Sequence, residues 1–405
     1  MSSIESLTLI LALVYGISLL YWSGKKWGAL ASAGLLIAAL TLTLYWPFFI
    51  ALLIATASLI LLNRSKPELA KGEVRPNQLR EVFQHLLALS MLLVGAQFAA
   101  NSLMLSMGVT PWLMRPDVGD AFLPIAGGLI LKAIINLGIW DQHHPAAAVM
   151  LFVVLLTGLL CKRAFCGWAC PLGLAGEYLY KLRKRLIKRE FTPPAWLDWP
   201  LRMVKYLILI GLIYIISGMP SPAIPHYLEG RYHKIADLKM ALFFITPGLI
   251  TLACFGLILF LAAWRRQGFC RYICPYGGLL GILSFASPLK IRRSQQHCLI
   301  TTKGLNCDKC TRACPANIKV HQQAVVRSDE CQACMRCISA CPKKQEALHF
   351  STRNGIKLSA RGLTIMLIAL LFMIPLIAYT SGFWVSQTPT EIRMYLIQHL
   401  DAIGH

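Results

Sequence analysis

Long apolar blocks recur from one end of the chain to the other, a pattern that leaves few alternatives to a bundle of membrane helices. They run over Leu7–Trp22, Leu30–Tyr45, Phe48–Leu62, Val82–Leu103, Ala146–Leu160, Met203–Ile216, Leu238–Trp264 and Leu363–Tyr379, and eight spans are expected from them. A further apolar stretch, Phe122–Leu137, reads as re-entrant or interfacial. Several blocks are shorter than the ~20 residues a perpendicular span needs, so flanking residues must complete them. Mean hydropathy of +0.58 agrees with this reading. Met1–Ser6 has no basic leader region, so Leu7–Trp22 reads as a retained helix. Pro67 and Pro76 mark Asn63–Leu79 as a polar linker between a three-helix extension and the rest.

The formal net charge is +22, from 40 Lys+Arg against 18 Asp+Glu. These cations sit at the ends of apolar blocks, where cytoplasmic loops are positive, and no basic stripe interleaved with aromatics suggests nucleic-acid binding. Segment 162–190 is basic through Lys162, Arg163, Lys181, Arg183, Lys184, Arg185, Lys188 and Arg189. Segment 265–293 is basic through Arg265, Arg266, Arg271, Lys290, Arg292 and Arg293. The loops near 101–144 and 217–237 carry few cations. Both basic segments are therefore expected in the cytoplasm.

One internal repeat stands out. Phe165-Cys166-Gly167-Trp168-Ala169-Cys170-Pro171-Leu172-Gly173 matches Phe269-Cys270-Arg271-Tyr272-Ile273-Cys274-Pro275-Tyr276-Gly277, sharing F-C-x-(W/Y)-x-C-P-x-G. Each copy directly follows a span and basic residues, the arrangement of parallel repeats about an axis along the membrane normal.

Of the 14 cysteines, ten fall between Cys270 and Cys341, at spacings that suit thiolate metal ligation rather than disulfides. Cys331-Gln-Ala-Cys334-Met-Arg-Cys337-Ile-Ser-Ala-Cys341-Pro342 is a complete C-x-x-C-x-x-C-x-x-x-C-P run, in which three thiolates serve one [4Fe–4S] cluster and the fourth serves its neighbour. A structural zinc site would come as two separated pairs. The partner run, Cys307-Asp-Lys-Cys310-Thr-Arg-Ala-Cys314-Pro315, has Gly304 where the first cysteine belongs. Cys298 is the replacement; the alternative is a three-cysteine site with Cys298 free. By the crossed pattern one cluster takes Cys298, Cys307, Cys310 and Cys341, and the other takes Cys331, Cys334, Cys337 and Cys314.

Cys166, Cys170, Cys270 and Cys274 form the repeated pairs, whose spacing of four puts both thiols on one helical face. They are expected to bind an additional iron–sulphur cluster or another metal such as copper, or to act as a redox dithiol; simple burial is the bland alternative. Cys161 and Cys254 read as packing residues. His143, His144, His226 and His233 read as surface or interfacial histidines, with a quinone site, haem or proton path as the functional alternative. Asp237 and Lys132 are ionisable groups close to the membrane. No C-x-x-C-H for covalent haem is present, and no catalytic constellation is identified.

At these motifs the chain resembles the membrane polyferredoxins of the NapH/NosR/CcoG type, and most closely YccM-like 4Fe-4S binding proteins. The likeness covers about residues 78–380 and rests on both C-x-x-x-C-P copies and the two ferredoxin runs. Arg115-Pro116, Phe122-Leu123-Pro124-Ile125 and His144-Pro145-Ala146 add to it. It implies a bacterial cytoplasmic (inner) membrane protein passing electrons between the quinone pool, or a cytoplasmic donor such as ferredoxin or flavodoxin, and a redox partner. CcoG-type relatives imply the alternative of a copper reductase or maturation factor. A redox-sensing scaffold is the third reading.

The expected fold is an α-helical polytopic membrane protein with a small α+β 2[4Fe–4S] ferredoxin-like insert facing the cytoplasm. Its parts are residues 1–63 (three-helix extension), 64–81 (linker), 82–287 (membrane core), 288–352 (ferredoxin-like domain) and 353–405 (last span and non-cytoplasmic tail). The chain is expected to be an electron-transfer subunit rather than a stand-alone enzyme.

Overall fold

A computed structural model describes residues 76–112, 114–187 and 194–399. The expected spans Leu7–Trp22, Leu30–Tyr45 and Phe48–Leu62 lie outside the described residues. The described chain is almost entirely helical, with one two-stranded sheet.

The first described helix begins at Pro76 and runs to Ser106, six residues earlier than the expected Val82. Residues 76–81 belong to this helix. Pro124–Leu137 and Pro145–Cys161 form a hairpin at the centre of the bundle. A Cβ on Gly127 would lie 2.8 Å from the Ala147 carbonyl oxygen, so the two backbones meet almost directly. Small residues (Ala146, Ala147 and Ala148 are all buried) allow this close packing of helices in lipid. Pro275–Ala286 packs on Pro145–Cys161 and on Ala195–Gly218, while Leu249–Trp264 packs on Pro171–Leu186.

Two helices, Trp196–Gly218 and Ala360–Thr380, are long and apolar enough to cross a membrane, and a bent pair makes up to three among the described residues. Within the expected span Leu238–Trp264 the helix is broken rather than continuous. Ala236–Ile245 and Leu249–Trp264 meet at 77°. Between them Pro247 lacks the N–H a continuing helix would need, and Gly248 opens the second helix in extended backbone. In the last span, a π turn at Ala369–Met373 precedes Pro375 and relieves the clash of its ring with the preceding turn. Leu207, Ile210 and Tyr214, and Leu249 and Ile250 of the bent pair, all face outward, as expected of a surface bathed in lipid. Trp196 and Trp199 are exposed at one end of their helix, the place of interfacial aromatics.

The cysteine-rich insert is closed by its own ends. Strand β1 (Lys290–Arg293) pairs antiparallel with β2 (Leu348–Ser351), with Ile291 opposite Phe350. Both inward side chains are buried, and the chain enters and leaves the insert at one point. A single apolar core joins Ile291, Ile338 and Phe350 of the insert to Phe83, Trp168, Leu363 and Leu367 of the bundle. The insert is therefore seated on the helices rather than hung from them.

Candidate electron-transfer site

The ferredoxin-like cysteines line two cavities. Cys298, Cys307, Cys310 and Cys341 surround the first, together with Arg293 and His321. Cys314, Cys331, Cys334 and Cys337 surround the second, with Glu330 and Gln332. The structure thus brings Cys341 beside the Cys298–Cys310 stretch and Cys314 beside the Cys331–Cys337 loop.

The placement of Cys298 has a local cause. It caps the short helix Leu299–Lys303, which Gly304 ends in the left-handed conformation at φ +61°. Glycine reaches that conformation without a Cβ penalty, so the residue standing where a cysteine was expected is the one that folds the loop back. Arg293 Nη1 approaches Cys298 Sγ at 3.6 Å. Desolvation alone would raise this thiol, but the Ile300 backbone N–H and then Arg293 outweigh it and hold it below the ordinary range. In the Cys331–Cys337 loop, Ala333 and Met335 take left-handed backbone at φ 48° and 55°, wrapping the chain around its sulphurs.

The repeated pairs also converge. Cys170 and Cys270 each interact electrostatically with sulphurs of both copies, and Cys274 with Cys166 of the other copy. The copies share their detail. Cys170 N donates to Phe165 O at 2.9 Å and Cys274 N to Phe269 O at 3.1 Å. Cys170 caps Pro171–Leu186 and Cys274 caps Pro275–Ala286, each with proline at the first helical position.

The segments that carry the three cysteine groups pack one against the next. A Cβ on Gly167, between Cys166 and Cys170, would lie 2.8 Å from Gln332 O and 3.5 Å from Cys334 Cβ. Trp168, fully buried, donates from Nε1 to Ala333 O at 3.0 Å. On the far side, the Cys337 helix, Arg336–Ala340, packs on the Cys310 helix, Lys309–Arg312. The Cys331 quartet is thus the middle one.

Ion pairs fasten this stack. Arg336, between Cys334 and Cys337, binds Glu177. Arg163 Nη1 reaches Glu330 Oε2 at 3.2 Å and Asp329 O at 3.1 Å, and Lys205 Nζ reaches Glu330 Oε1 at 2.5 Å. Tyr206 Oη donates to Asp329 Oδ2 at 2.7 Å, and Arg271 binds Asp198 at 2.7 Å. These contacts correct part of the charge reading. Lys162 and Arg163 are fully buried, and Arg265 and Arg271 nearly so; they bind the insert or the bundle rather than lying in an open loop. Charge counting finds the cations but not their partners, because Glu330 is 167 residues from Arg163.

A second polar network lies away from the cysteines. Arg115 binds Asp117 at 2.7 Å, Asp120, and Asp237 at 2.7 Å, while Arg393 also binds Asp237. His144 Nδ1 faces Asp120 at 3.1 Å and its Nε2 donates to His233 O at 2.7 Å; His233 pairs with Asp141 at 2.9 Å. His144 and His233 are fully buried and His143 nearly so, which corrects their reading as surface residues; His226 is exposed. Lys132 Nζ caps the end of the Ala195–Gly218 helix through Ile216 O, Ser217 O and Met219 O at 3.0, 2.8 and 2.7 Å. Cys161 is buried against Met366, whereas Cys254 faces outward.

Among the described residues, Asp120, His144 and Asp237 are the trio of metal-capable side chains whose ligand atoms lie within 4.8 Å of one another. Arg115 already binds all three, so a cation occupies that place. No three cysteine sulphurs approach so closely. A single tetrahedral zinc ion would draw them to about 3.8 Å of one another. A cubane sets its thiolates farther apart. Charge fits as well. Burial pushes the Cys314 thiol up to about 12, with Cys334 and Cys331 adding to it, so such thiols stay protonated unless a cation collects their charge.

Residues 143–190 and 245–294 match the 4Fe-4S binding domain family Fer4_5, one stretch over each repeat, and residues 290–342 match the 4Fe-4S dicluster domain family Fer4_10. No solved structure matches. The ferredoxin-type protein NapH of Haemophilus influenzae is 29% identical over 50% of this chain and 66% of its own length. The regulatory protein NosR of Pseudomonas aeruginosa is 26% identical over 42% of this chain and 22% of its own. The putative electron transport protein YccM of Escherichia coli is 36% identical over 73% of this chain and 83% of its own length. With its repeats and dicluster segment matched and most of YccM covered, this chain belongs to the NapH/NosR-type polyferredoxins, in the family of YccM.

Proposed function

We propose that this protein is an iron–sulphur electron carrier of the bacterial inner membrane. In this reading Cys298, Cys307, Cys310 and Cys341 hold one [4Fe–4S] cluster and Cys314, Cys331, Cys334 and Cys337 hold a second. Cys166, Cys170, Cys270 and Cys274 form a third metal or redox site. When bound, each cluster supplies one-electron acceptance and return. The observation that carries the reading is the packing order of the cysteine-bearing segments: Lys309–Arg312 on Arg336–Ala340, and Gly167 of the first repeat against Gln332 and Cys334. The protein's own part is to hold these sites dry and in fixed order, and the buried pairs Arg336–Glu177 and Arg163–Glu330 support that role.

The finer assignment has eight spans, residues 288–352 as the cluster domain, and the insert in the cytoplasm. Electrons then pass between a soluble donor at the outer quartet and the quinone pool or a membrane partner. Lys303, Lys309 and Lys343 are exposed around that quartet, against Asp308 and Glu346. Such a rim suits an acidic ferredoxin or flavodoxin.

The test is to purify the protein without oxygen and follow its visible spectrum on adding reduced flavodoxin, a quinol or Cu(II). Rapid reversible bleaching by flavodoxin or quinol is expected. Sustained turnover of Cu(II), lost in Cys166→Ser with both ferredoxin clusters intact, would replace the carrier reading with a copper reductase.

A further inference from the structure

We infer that Cys166, Cys170, Cys270 and Cys274 together ligate one additional [4Fe–4S] cluster, shared between the two repeats. The inference rests on the carrier reading and deepens it by naming the occupant of the paired site.

Each repeat supplies two thiols and neither can complete a site alone. The fold brings the pairs together, with Cys170 interacting with Cys274, and Cys270 with Cys170 and Cys166. Among the described residues no three of these sulphurs have ligand atoms within 4.8 Å of one another, looser than a tetrahedral single-ion site would hold them. Cys166 and Cys270 are 4% and 3% exposed, as dry as a cubane site requires.

The surroundings are built for an anion. Four thiolates around an oxidised cubane leave a net charge of about −2. The Pro171–Leu186 and Pro275–Ala286 helices begin at Cys170 and Cys274, so the positive ends of two helices of 16 and 12 residues meet at the sulphurs. Arg163 adds a full charge. Its guanidinium is wholly buried, interacts with Cys166 and Cys270, and donates from Nη2 to Cys270 O at 3.1 Å. Its Nε has no hydrogen-bond partner. The closing glycines serve the same geometry. A Cβ on Gly173 would lie 2.6 Å from Cys166 O, and one on Gly277 would lie 2.5 Å from Cys270 O. Both copies therefore need glycine to fold the turn tightly enough to present both thiols.

What the group supplies when bound is one-electron exchange with the neighbouring Cys331 quartet, oxidation on one side balancing reduction on the other. Two family matches to a 4Fe-4S domain would suggest one cluster per repeat; this geometry provides one for both.

The full-length protein, purified and reconstituted without oxygen, is assayed for iron and acid-labile sulphide and examined by Mössbauer spectroscopy before and after dithionite. About twelve irons per chain in three cubanes are expected. Cys170→Ser with Cys274→Ser should lower this to about eight with both ferredoxin signals unchanged. Wild type saturating at about eight irons in two cubanes overturns the inference while leaving the carrier reading in place, as does stoichiometric copper at the paired thiols. If the double variant fails to fold, the wild-type count decides alone. A chain that takes up no iron at any quartet overturns the carrier reading itself.

Discussion

Replacing Glu177 with glutamine should loosen the cysteine-rich insert from the bundle. Glu177 is 3% exposed and lies among four cations. Arg336 binds it directly, while Lys181, Arg80 and Arg266 approach to 3.3, 3.8 and 3.9 Å. Desolvation would raise its carboxyl, but Arg336, then Arg80 and Lys181, outweigh burial and hold it at about 2, against an ordinary 4.5. At about 1.4 kcal/mol per tenfold, that difference stabilises the fold by about 3 kcal/mol. Because the folded value lies below the unfolded one, this stabilisation is complete above about pH 4.5 and is lost as pH falls through about 2. Loss of the carboxylate also leaves Arg80 and Arg266 facing Arg336, and burial together with Arg336 already holds both below the ordinary guanidinium range. The assay is hydrogen exchange of the Arg336–Ala340 amides in the detergent-solubilised holoprotein. Protection should fall about a hundredfold in Glu177→Gln, equally at pH 7 and pH 5. Protection unchanged within threefold, or a deficit that disappears between pH 7 and 5, would refute the reasoning.

Cys298→Ala should remove about four irons and leave the Cys331 quartet's spectrum intact; full iron retention would remove Cys298 from the ligand set. Lys303→Glu with Lys309→Glu should slow reduction by an acidic flavodoxin about tenfold at low ionic strength and hardly at all at high salt, as read by stopped-flow bleaching. Asp237→Asn leaves Arg115 and Arg393 sharing a neutral partner and should cost about 3–5 kcal/mol, seen as a lower thermal midpoint and early exchange of the Thr390–Gln398 helix. An unchanged midpoint would show that the tail is held by other contacts.

Much of the site was legible because iron–sulphur ligation is local. Cys331, Cys334 and Cys337 sit on one tight loop, so spacing alone marks them, and the C-P ending marks the crossed ligand. The repeat was legible for the same reason, since each pair is four residues apart; the expected single helical face is corrected, because Cys170 and Cys274 lie in extended backbone between two helices. The bend after Ile245 was written in Pro247-Gly248 but hidden by the continuous hydropathy around it. The histidines were misplaced because nothing near His144 in the chain announces Arg115 and Asp237, which reach the same buried spot from other segments.

By itself the amino-acid sequence determined that this chain enters lipid, that it carries two ferredoxin-type cysteine runs, and that one cysteine-pair motif occurs twice. Apolar length and thiol spacing are properties of short segments, so they can be read directly. Only the tertiary structure decided that the two pairs meet, that Gly167 and Trp168 press against the Cys331 loop, and that Arg163 and Glu177 anchor the insert. Those contacts join residues more than a hundred positions apart. They follow from which helix faces pack together, and no local spacing encodes that.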